Sequence, residues 1–356
     1  KIGLVYGYLG LERHEVDQAS AGDIIAITGI EGPNVSDTLC DPENVEALPA
    51  LSVDEPTVSM TFQVNASPFA GKEGKYLTSR QLKERLEQEL IHNVALRVEE
   101  GTDPEKFKVS GRGELHLSVL LENMRREGFE LAVSRPEVIF REVEGEVCEP
   151  YEQLTVDVEE TSQGAIMEAL GTRKGDLKNL SPDGKGRVRL DYIIPSRGLI
   201  GFQTEFMTTT SGTGLMYHVF DHYGPAQSGG IAPRQNGVLI SNGQGKVLGY
   251  SLAALQERGK LFVDPGDEVY EGQIVGLHSR SNDLTVNPLK GKQLTNVRAS
   301  GKDDAIQLTP PVKFSLEQAL EFVEDDELVE LTPSAIRIRK RHLKEHERKK
   351  ANREAK

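Results

Sequence analysis

Two stretches of the chain share one order of strand-like and helix-like patterns. In the first, 58–64 alternates apolar and polar residues as a strand does, and a capping box at 78–81 opens a helix with a leucine stripe. Two more strands follow, then a second apolar stripe from about Glu114, then a strand at 129–133. The order βαββαβ predicts a ferredoxin-like domain.

The same order recurs in the next part of the chain. An Arg-Gly pair precedes a helix in each stretch, at Arg112 and at Arg197. A repeat this long predicts two sibling domains in tandem rather than a solenoid. The segments that carry the second copy are a strand at 153–158, a helical stripe at 165–170, and strands at 187–193 and 215–220.

The flanking segments complete a predicted α+β fold. Short strands separated by Gly and Asp turns predict the end of a β-barrel at the start of the chain, and a Gly-rich region with a long polar loop at 279–304 predicts a β-rich C-terminal domain. Thr332 and Pro333 predict the start of a helical, basic tail. The predicted units are 1–50 (barrel end and linker), 51–143 and 144–225 (ferredoxin-like), 226–332 (β-rich) and 333–356 (tail).

Charge is distributed unevenly. With 42 Lys and Arg against 56 Asp and Glu, the net charge is −14, which at first argues against a nucleic-acid partner. However, residues 335–356 carry a net +7 and residues 279–302 a net +4. An acidic pI therefore does not exclude RNA, but any RNA contact has to be local.

Other chemistry is sparse. Cys40 and Cys148 are too few and too far apart in sequence for a disulfide framework or a zinc site, which fits a reducing cytosol, and no apolar run is long enough to span a membrane. Phosphate-loop, His-Glu-x-x-His and Gly-x-Ser-x-Gly patterns are missing, and no carboxylate pair stands out as an acid–base couple. We therefore assign no catalytic and no metal-binding residue.

The polar loop is the best candidate for RNA binding. Its cations can neutralise phosphates, while its amides and hydroxyls can reach sugars and base edges. A solvated surface loop is the alternative explanation. The candidate contacts are Arg280, Asn282, Asn287, Lys290, Lys292, Asn296, Arg298 and Lys302.

A secondary set of cations could also contact RNA. The Arg-Gly pairs could present backbone donors to phosphate at a helix start, although such glycines more often serve the turn. The basic tail could bind RNA or could be a solubilising, frayed helix. These secondary candidates are Arg112, Arg197, Arg337, Arg339, Lys340 and Arg341.

Several motifs resemble those of a known family. The segments 110–117 and 135–141 resemble the third domain of elongation-factor-G-type translational GTPases, and 36–42 resembles the end of their second, barrel domain. The next unit resembles their fifth domain, while their fourth, tRNA-mimicking domain has no counterpart here. Further segments resemble the BipA (TypA) family, namely 195–202, 230–237, 280–287 and 294–300.

This resemblance implies a bacterial, ribosome-associated GTPase linked to stress, growth in the cold and assembly of the large subunit. It implies that GTP and Mg²⁺ bind an N-terminal domain. We expect that domain to be missing here, so that the chain itself has no cofactor and is not an enzyme. The resemblance also implies that the loop at 280–302 reaches the peptidyl-transferase region and the acceptor arm of the A-site tRNA.

The expected partners are the 50S and 70S particles, rRNA and tRNA, with no membrane, and we expect a monomer in the cytoplasm. Two other hypotheses remain open. Tandem ferredoxin-like domains could form a regulatory module that binds a small ligand, since fold alone does not decide function. A fragment of a LepA-type elongation factor is the other hypothesis, and the BipA-like segments count against it.

Overall fold

The fold is described from a computed structural model that covers residues 2–30, 33, 35–49, 55–229, 234–291 and 307–354. It is a mixed α+β protein, as predicted, in which helices pack on mainly antiparallel sheets. Its helices are α1 Ser79–His92, α2 Glu114–Glu127, α3 Glu160–Thr172, α4 Ser196–Leu199, α5 Phe202–Thr209, α6 Gly249–Leu255, α7 Leu316–Phe322 and α8 Glu345–Glu354.

The strands form five sheets within the described residues. The strands of the first half are β1 Val5–Leu9, β2 Glu12–Glu15, β3 Ile25–Ile27, β4 Val58–Val64, β5 Arg97–Glu100, β6 Lys106–Gly111, β7 Leu131–Val133, β8 Glu137–Val138, β9 Arg141–Val143 and β10 Glu146–Glu159. Those of the second half are β11 Asp176–Pro182, β12 Arg187–Pro195, β13 Leu215–Pro225, β14 Val238–Ser241, β15 Gly245–Lys246, β16 Gly259–Leu261, β17 Glu268–Val269, β18 Ile274–His278, β19 Leu284–Val286, β20 Glu327–Leu331 and β21 Ile336–Lys340.

The first ferredoxin-like unit has the expected topology. Its strands lie in the order β7-β4-β6-β5, and α1 and α2 cover one face. The Thr78 side chain and Gln81 form the predicted capping box at the start of α1. Gly128 ends α2 with φ 107°, a left-handed conformation that glycine adopts without the steric cost of a Cβ.

The second ferredoxin-like unit repeats this plan. Its strands lie in the order β11-β12-β10-β13, with α3 and α5 on one face. Alternate residues of β10 and β12, such as Leu154, Val156 and Leu190, are fully buried in a core of their own. The N-terminal strands β1–β3 form a separate three-stranded antiparallel sheet, the region where sequence predicted the end of a barrel.

The C-terminal region is joined to the first ferredoxin-like unit rather than set apart from it. Strand β20 pairs with β7, and β21 pairs with β20, so the hairpin widens the first sheet. Val238, Ile274 and Ile338 belong to the same hydrophobic core as the first unit. A separate core also exists inside this region, where the sheet β16-β18-β14-β19 packs against α6.

The prediction of a helical tail over 333–356 is wrong in its first half. Ile336–Lys340 is a strand, because Ile336 and Ile338 alternate with basic residues and Ile338 points into the core. Only Glu345–Glu354 is helical. Strand β15 ends at Lys246, and α6 begins at Gly249.

Candidate nucleic-acid interface

The candidate RNA-binding loop starts from a rigid turn after β18. Gly237 donates its backbone N–H to the Arg280 carbonyl oxygen at 2.8 Å and accepts from the His278 backbone N–H at 2.8 Å. The buried His278 ring donates from Nδ1 to the Asn282 carbonyl oxygen at 2.6 Å. These bonds fix residues 279–283 against the start of β14.

Close packing at this turn explains why residue 237 is a glycine. A Cβ on Gly237 would lie 2.3 Å from the backbone carbonyl of Asn282, so no other residue fits without moving the turn. The chain then forms β19, which pairs in parallel with β14. The prediction of a continuous polar loop from 279 is therefore wrong for its first part, where Leu284 and Val286 alternate as a strand requires.

The four candidate side chains in the described part of the loop face solvent. Arg280, Asn282, Asn287 and Lys290 are all exposed. Asn287 Oδ1 accepts from the Leu289 backbone N–H at 2.9 Å, which shapes the turn after β19. Within the described ranges no carboxylate forms an ion pair with Arg280 or Lys290, so both cations are available to an anionic partner. Lys292, Asn296, Arg298 and Lys302 lie outside the described residues.

Lys340 contacts this loop from another element. Its Nζ lies 2.7 Å from Asp283 Oδ2, 2.8 Å from Asp326 Oδ2 and 3.0 Å from Glu327 Oε1. Burial disfavours the charge on this lysine, but Glu327, Asp283 and Asp326 offset it and raise the pKa of Lys340 above its ordinary value. Asp283 also accepts the Val238 backbone N–H at 2.9 Å, so the one acidic residue of the loop serves as its anchor.

Two other basic residues of β21 are also buried or paired inside the protein. Arg337 pairs with Glu73 and, at 3.2 Å, with the fully buried Glu330. Arg339 is 3% exposed. Because these side chains and Lys340 are turned inward, we leave them out of the proposed RNA surface.

Arg197 acts as a clamp within the second ferredoxin-like unit. Its guanidinium binds both carboxylate oxygens of the buried Glu149 and donates to the carbonyl oxygens of Gln227 and Gly229. These contacts fix the segment that leaves β13. We therefore leave Arg197 out of the RNA surface as well.

Arg112 and Arg341 remain exposed. The Arg112 backbone N–H donates to His116 Nδ1 at 3.3 Å, and His116 Nε2 lies 3.0 Å from Asn93 Oδ1 at the end of α1. Burial lowers the pKa of His116, with Arg112 acting in the same direction, so the ring is neutral and serves packing. Arg341 donates to the Asp325 carbonyl oxygen at 2.7 Å.

Sequence reasoning did not single out Glu114 as a chemically unusual group. It begins α2, and its Oε1 is buried with no hydrogen-bond partner in the part of the chain that the structure describes. Burial raises the pKa of Glu114 to about 8, and Glu321 acts in the same direction. An acidic residue in the first turn of a helix is usually solvated, so its burial follows from packing that no local pattern shows.

Known proteins match nearly the whole length of the chain. The family described as the TypA/BipA C-terminal domain matches residues 236–345, and the elongation factor G C-terminus family matches residues 146–230. A relative from Escherichia coli (strain K12), named "Large ribosomal subunit assembly factor BipA", is 70% identical over 353 residues, which are 99% of this chain and 58% of the relative. Over nearly all of its length the chain is therefore similar to BipA/TypA proteins.

Two further relatives with the same name agree. The Haemophilus influenzae protein is 69% identical over 99% of this chain and 57% of its own length, and the Buchnera aphidicola protein is 62% identical over 100% and 59%. The chain thus spans less than two thirds of these relatives. A solved structure from Thermus thermophilus aligns at 14% identity and a TM-score of 0.36, covering 63% of this chain and 49% of that one, which is too weak a likeness to use.

The prediction that this chain is not an enzyme is wrong. It rested on the missing phosphate-loop pattern, yet the chain matches BipA factors over 99% of its own length while spanning 58% of theirs. Motifs that are missing from these residues therefore say nothing about whether the protein is catalytic. The prediction that a GTP-binding domain is missing is withdrawn for the same reason. Among the described residues, no helix is long and apolar enough to cross a membrane.

Proposed function

We propose that this chain binds the RNA of the large ribosomal subunit through its C-terminal loop, and that the protein acts in large-subunit assembly and in translation under stress. The observation that supports the proposal is the anchored turn at 279–283, which presents Arg280 without a carboxylate partner in the described residues. The partners proposed are the 50S and 70S particles, rRNA and the acceptor arm of a tRNA, met by a monomer in the cytoplasm.

The charge distribution supports an RNA contact that is confined to the loop. Residues 279–302 carry +4 within a chain of net charge −14, so attraction to phosphate concentrates in this segment while the acidic body repels RNA. Lys340 supports this arrangement because its charge, shared with Asp326 and Glu327, offsets part of the negative charge of Asp283, the only acidic residue in 279–302. Besides this paired carboxylate, the turn at 279–283 presents one guanidinium, one amide and two hydroxyl groups.

We propose that the whole protein uses GTP and Mg²⁺, as the family resemblance implies. The residues of this chain do not fit that role: the sequence has no phosphate-loop pattern, and the described residues include no group of three or more His, Cys, Asp or Glu placed to hold a metal ion. We assign no GTP or Mg²⁺ ligand to them and derive no step of hydrolysis from them.

Co-sedimentation of the protein with 50S and 70S particles tests the RNA contact. Alanine at Arg280, Lys290, Lys292 and Arg298 should greatly reduce the bound fraction at moderate salt, since each lost phosphate contact weakens binding. A control variant with alanine at Arg80, Lys83, Arg126 and Lys178, all exposed cations of the ferredoxin-like units, removes the same charge. If both variants bind equally, the loop is not the contact.

A further inference from the structure

A second cationic site lies on the other face of the first sheet. In β21, Arg337 and Arg339 point away from the helices, opposite to Ile336 and Ile338, which pack in the shared core. Arg339 is 3% exposed, yet within the described residues no carboxylate forms an ion pair with it. Among the described residues, its side chain makes one hydrogen bond, from Nη1 to the Lys340 carbonyl oxygen at 3.3 Å. The buried Nε of the same side chain has no hydrogen-bond partner there.

The carboxylate that shares this face is already occupied. Glu330 Oε1 accepts from Arg337 Nη1 at 3.2 Å, from Ser67 Oγ at 3.0 Å and from Asn65 Nδ2 at 3.3 Å, while Oε2 accepts from the Tyr270 hydroxyl. A buried guanidinium without a counter-charge is costly, because burial removes its hydration. The described residues therefore supply no counter-charge for Arg339, whose charge is available to a bound anion.

Arg339 lines a cavity of about 540 Å³ whose wall carries four Lys and Arg side chains against three carboxylates. The exposed side chains of Arg341 and Lys344 lie on one side of it, and the hydroxyl of Thr61 in β4 lies on the other, beside Ser134, whose hydroxyl already donates to the Arg135 carbonyl oxygen at 3.1 Å. Guanidinium and hydroxyl donors that converge on one cavity suit a tetrahedral oxyanion. The acidic residues of the wall are Asp103, which is paired with Lys106 at 3.0 Å, Glu105 and Glu347.

The geometry points to a phosphate-group site in this cavity, with Arg339 as its buried ligand and Arg341 and Lys344 at its mouth. A phosphate oxygen would satisfy the orphaned donors of Arg339 and supply the missing counter-charge. The phosphate could belong to a small anion or to an RNA backbone, which share this chemistry. The site is separate from the loop at 280–302 and does not depend on the function proposed above.

Calorimetric titration of the whole protein with inorganic phosphate, at constant ionic strength, tests this site. We expect saturable binding by the parent and binding at least about tenfold weaker for Arg339→Met, since hydrogen bonds to charged groups are strong. At a hundredfold excess of phosphate over the Kd of the parent, the thermal midpoint of the parent should rise by about 2 °C more than that of Arg339→Met. Salting-out by phosphate shifts both proteins equally and does not affect this difference.

Two further variants make the result independent of the folding of Arg339→Met. Arg341→Gln with Lys344→Gln alters exposed residues of the same cavity and should also weaken phosphate binding, whereas Arg80→Met, on the distant surface of α1, should not.

A short single-stranded RNA without terminal phosphates is the second ligand. If the RNA competes with phosphate in the parent, the source is a nucleic-acid backbone; if it does not, the source is a small anion. The absence of phosphate binding by the parent, or equal binding by all variants, would overturn the proposal.

Discussion

Lys340 shows how one residue can differ from its sequence-based interpretation. A lysine in a run of basic residues is usually solvated, yet this one is 3% exposed and joins Asp283 of the loop to Asp326 and Glu327. Its role depends on strands that are distant in sequence, so no local pattern could reveal it. The residue types of the loop itself, in contrast, are visible in the sequence, which is why Arg280 and Lys290 could be named from it.

Removing the Lys340 charge should destabilise the protein and loosen the loop. Lys340→Met removes one of the two cations that pair with the fully buried Glu327, and Arg234 remains at 2.8 Å, so the loss should be smaller than the about 3–5 kcal/mol of a fully broken buried pair. Urea unfolding should show that loss, and hydrogen exchange should show faster opening at 279–286. Lys349→Met, which removes an exposed lysine paired with Glu345, is the control and should change little. Equal stability of the two variants would mean that the Lys340 cluster does not hold the loop.

Glu114 gives the protein a specific pH dependence. Its pKa is about 8 in the folded protein against 4.5 for a solvated glutamate carboxyl. Between these pH values the unfolded chain has lost the proton and the folded chain keeps it, so this group makes the free energy of unfolding fall as pH rises from about 5 to 8. Glu114→Gln should be less sensitive to pH over that range in urea unfolding. An unchanged pH slope would show that Glu114 is ionised in the folded protein.

Secondary-structure elements were predictable where their signals are local. The two βαββαβ units follow from strand alternation, leucine stripes and the capping box at Thr78, all of which lie within one element each. The hairpin β20–β21 was not predictable as part of the first sheet, because Val329 pairs with Val133, far away in the sequence. Strand pairing over such a distance leaves no periodic signal.

The shared core predicts that the first ferredoxin-like unit and the C-terminal region unfold together. Ile338→Ala empties a position that is 4% exposed in that core and should cost about 2–5 kcal/mol. Hydrogen exchange should then speed up in β4, β6 and β7 as well as in β20 and β21. Ile166→Ala, in the separate core of the second unit, is the matched control and should speed exchange mainly in β10–β13. Faster exchange confined to the C-terminal region in Ile338→Ala would contradict a shared core.

At the scale of the whole molecule, charge decides where an anionic partner can bind. The net charge of −14 discourages RNA over most of the surface, and part of the basic tail is used inside the fold, where Arg337 and Lys340 pair with carboxylates. Overall composition predicted the acidic body and the basic segments but not which cations are available. The loop at 280–302 is therefore the segment to which the account assigns the RNA contact.

The salt dependence of binding to 50S particles tests this assignment most directly. If the five cations of the loop neutralise phosphates, log Kd plotted against log salt for the parent should have a slope of about 3 to 4, set by counterion release. Alanine at Arg280, Lys290, Lys292 and Arg298 should reduce this slope to about 1, while the control with four exposed cations removed from the ferredoxin-like units should keep the slope of the parent. The same slope for the parent and the loop variant would contradict the account.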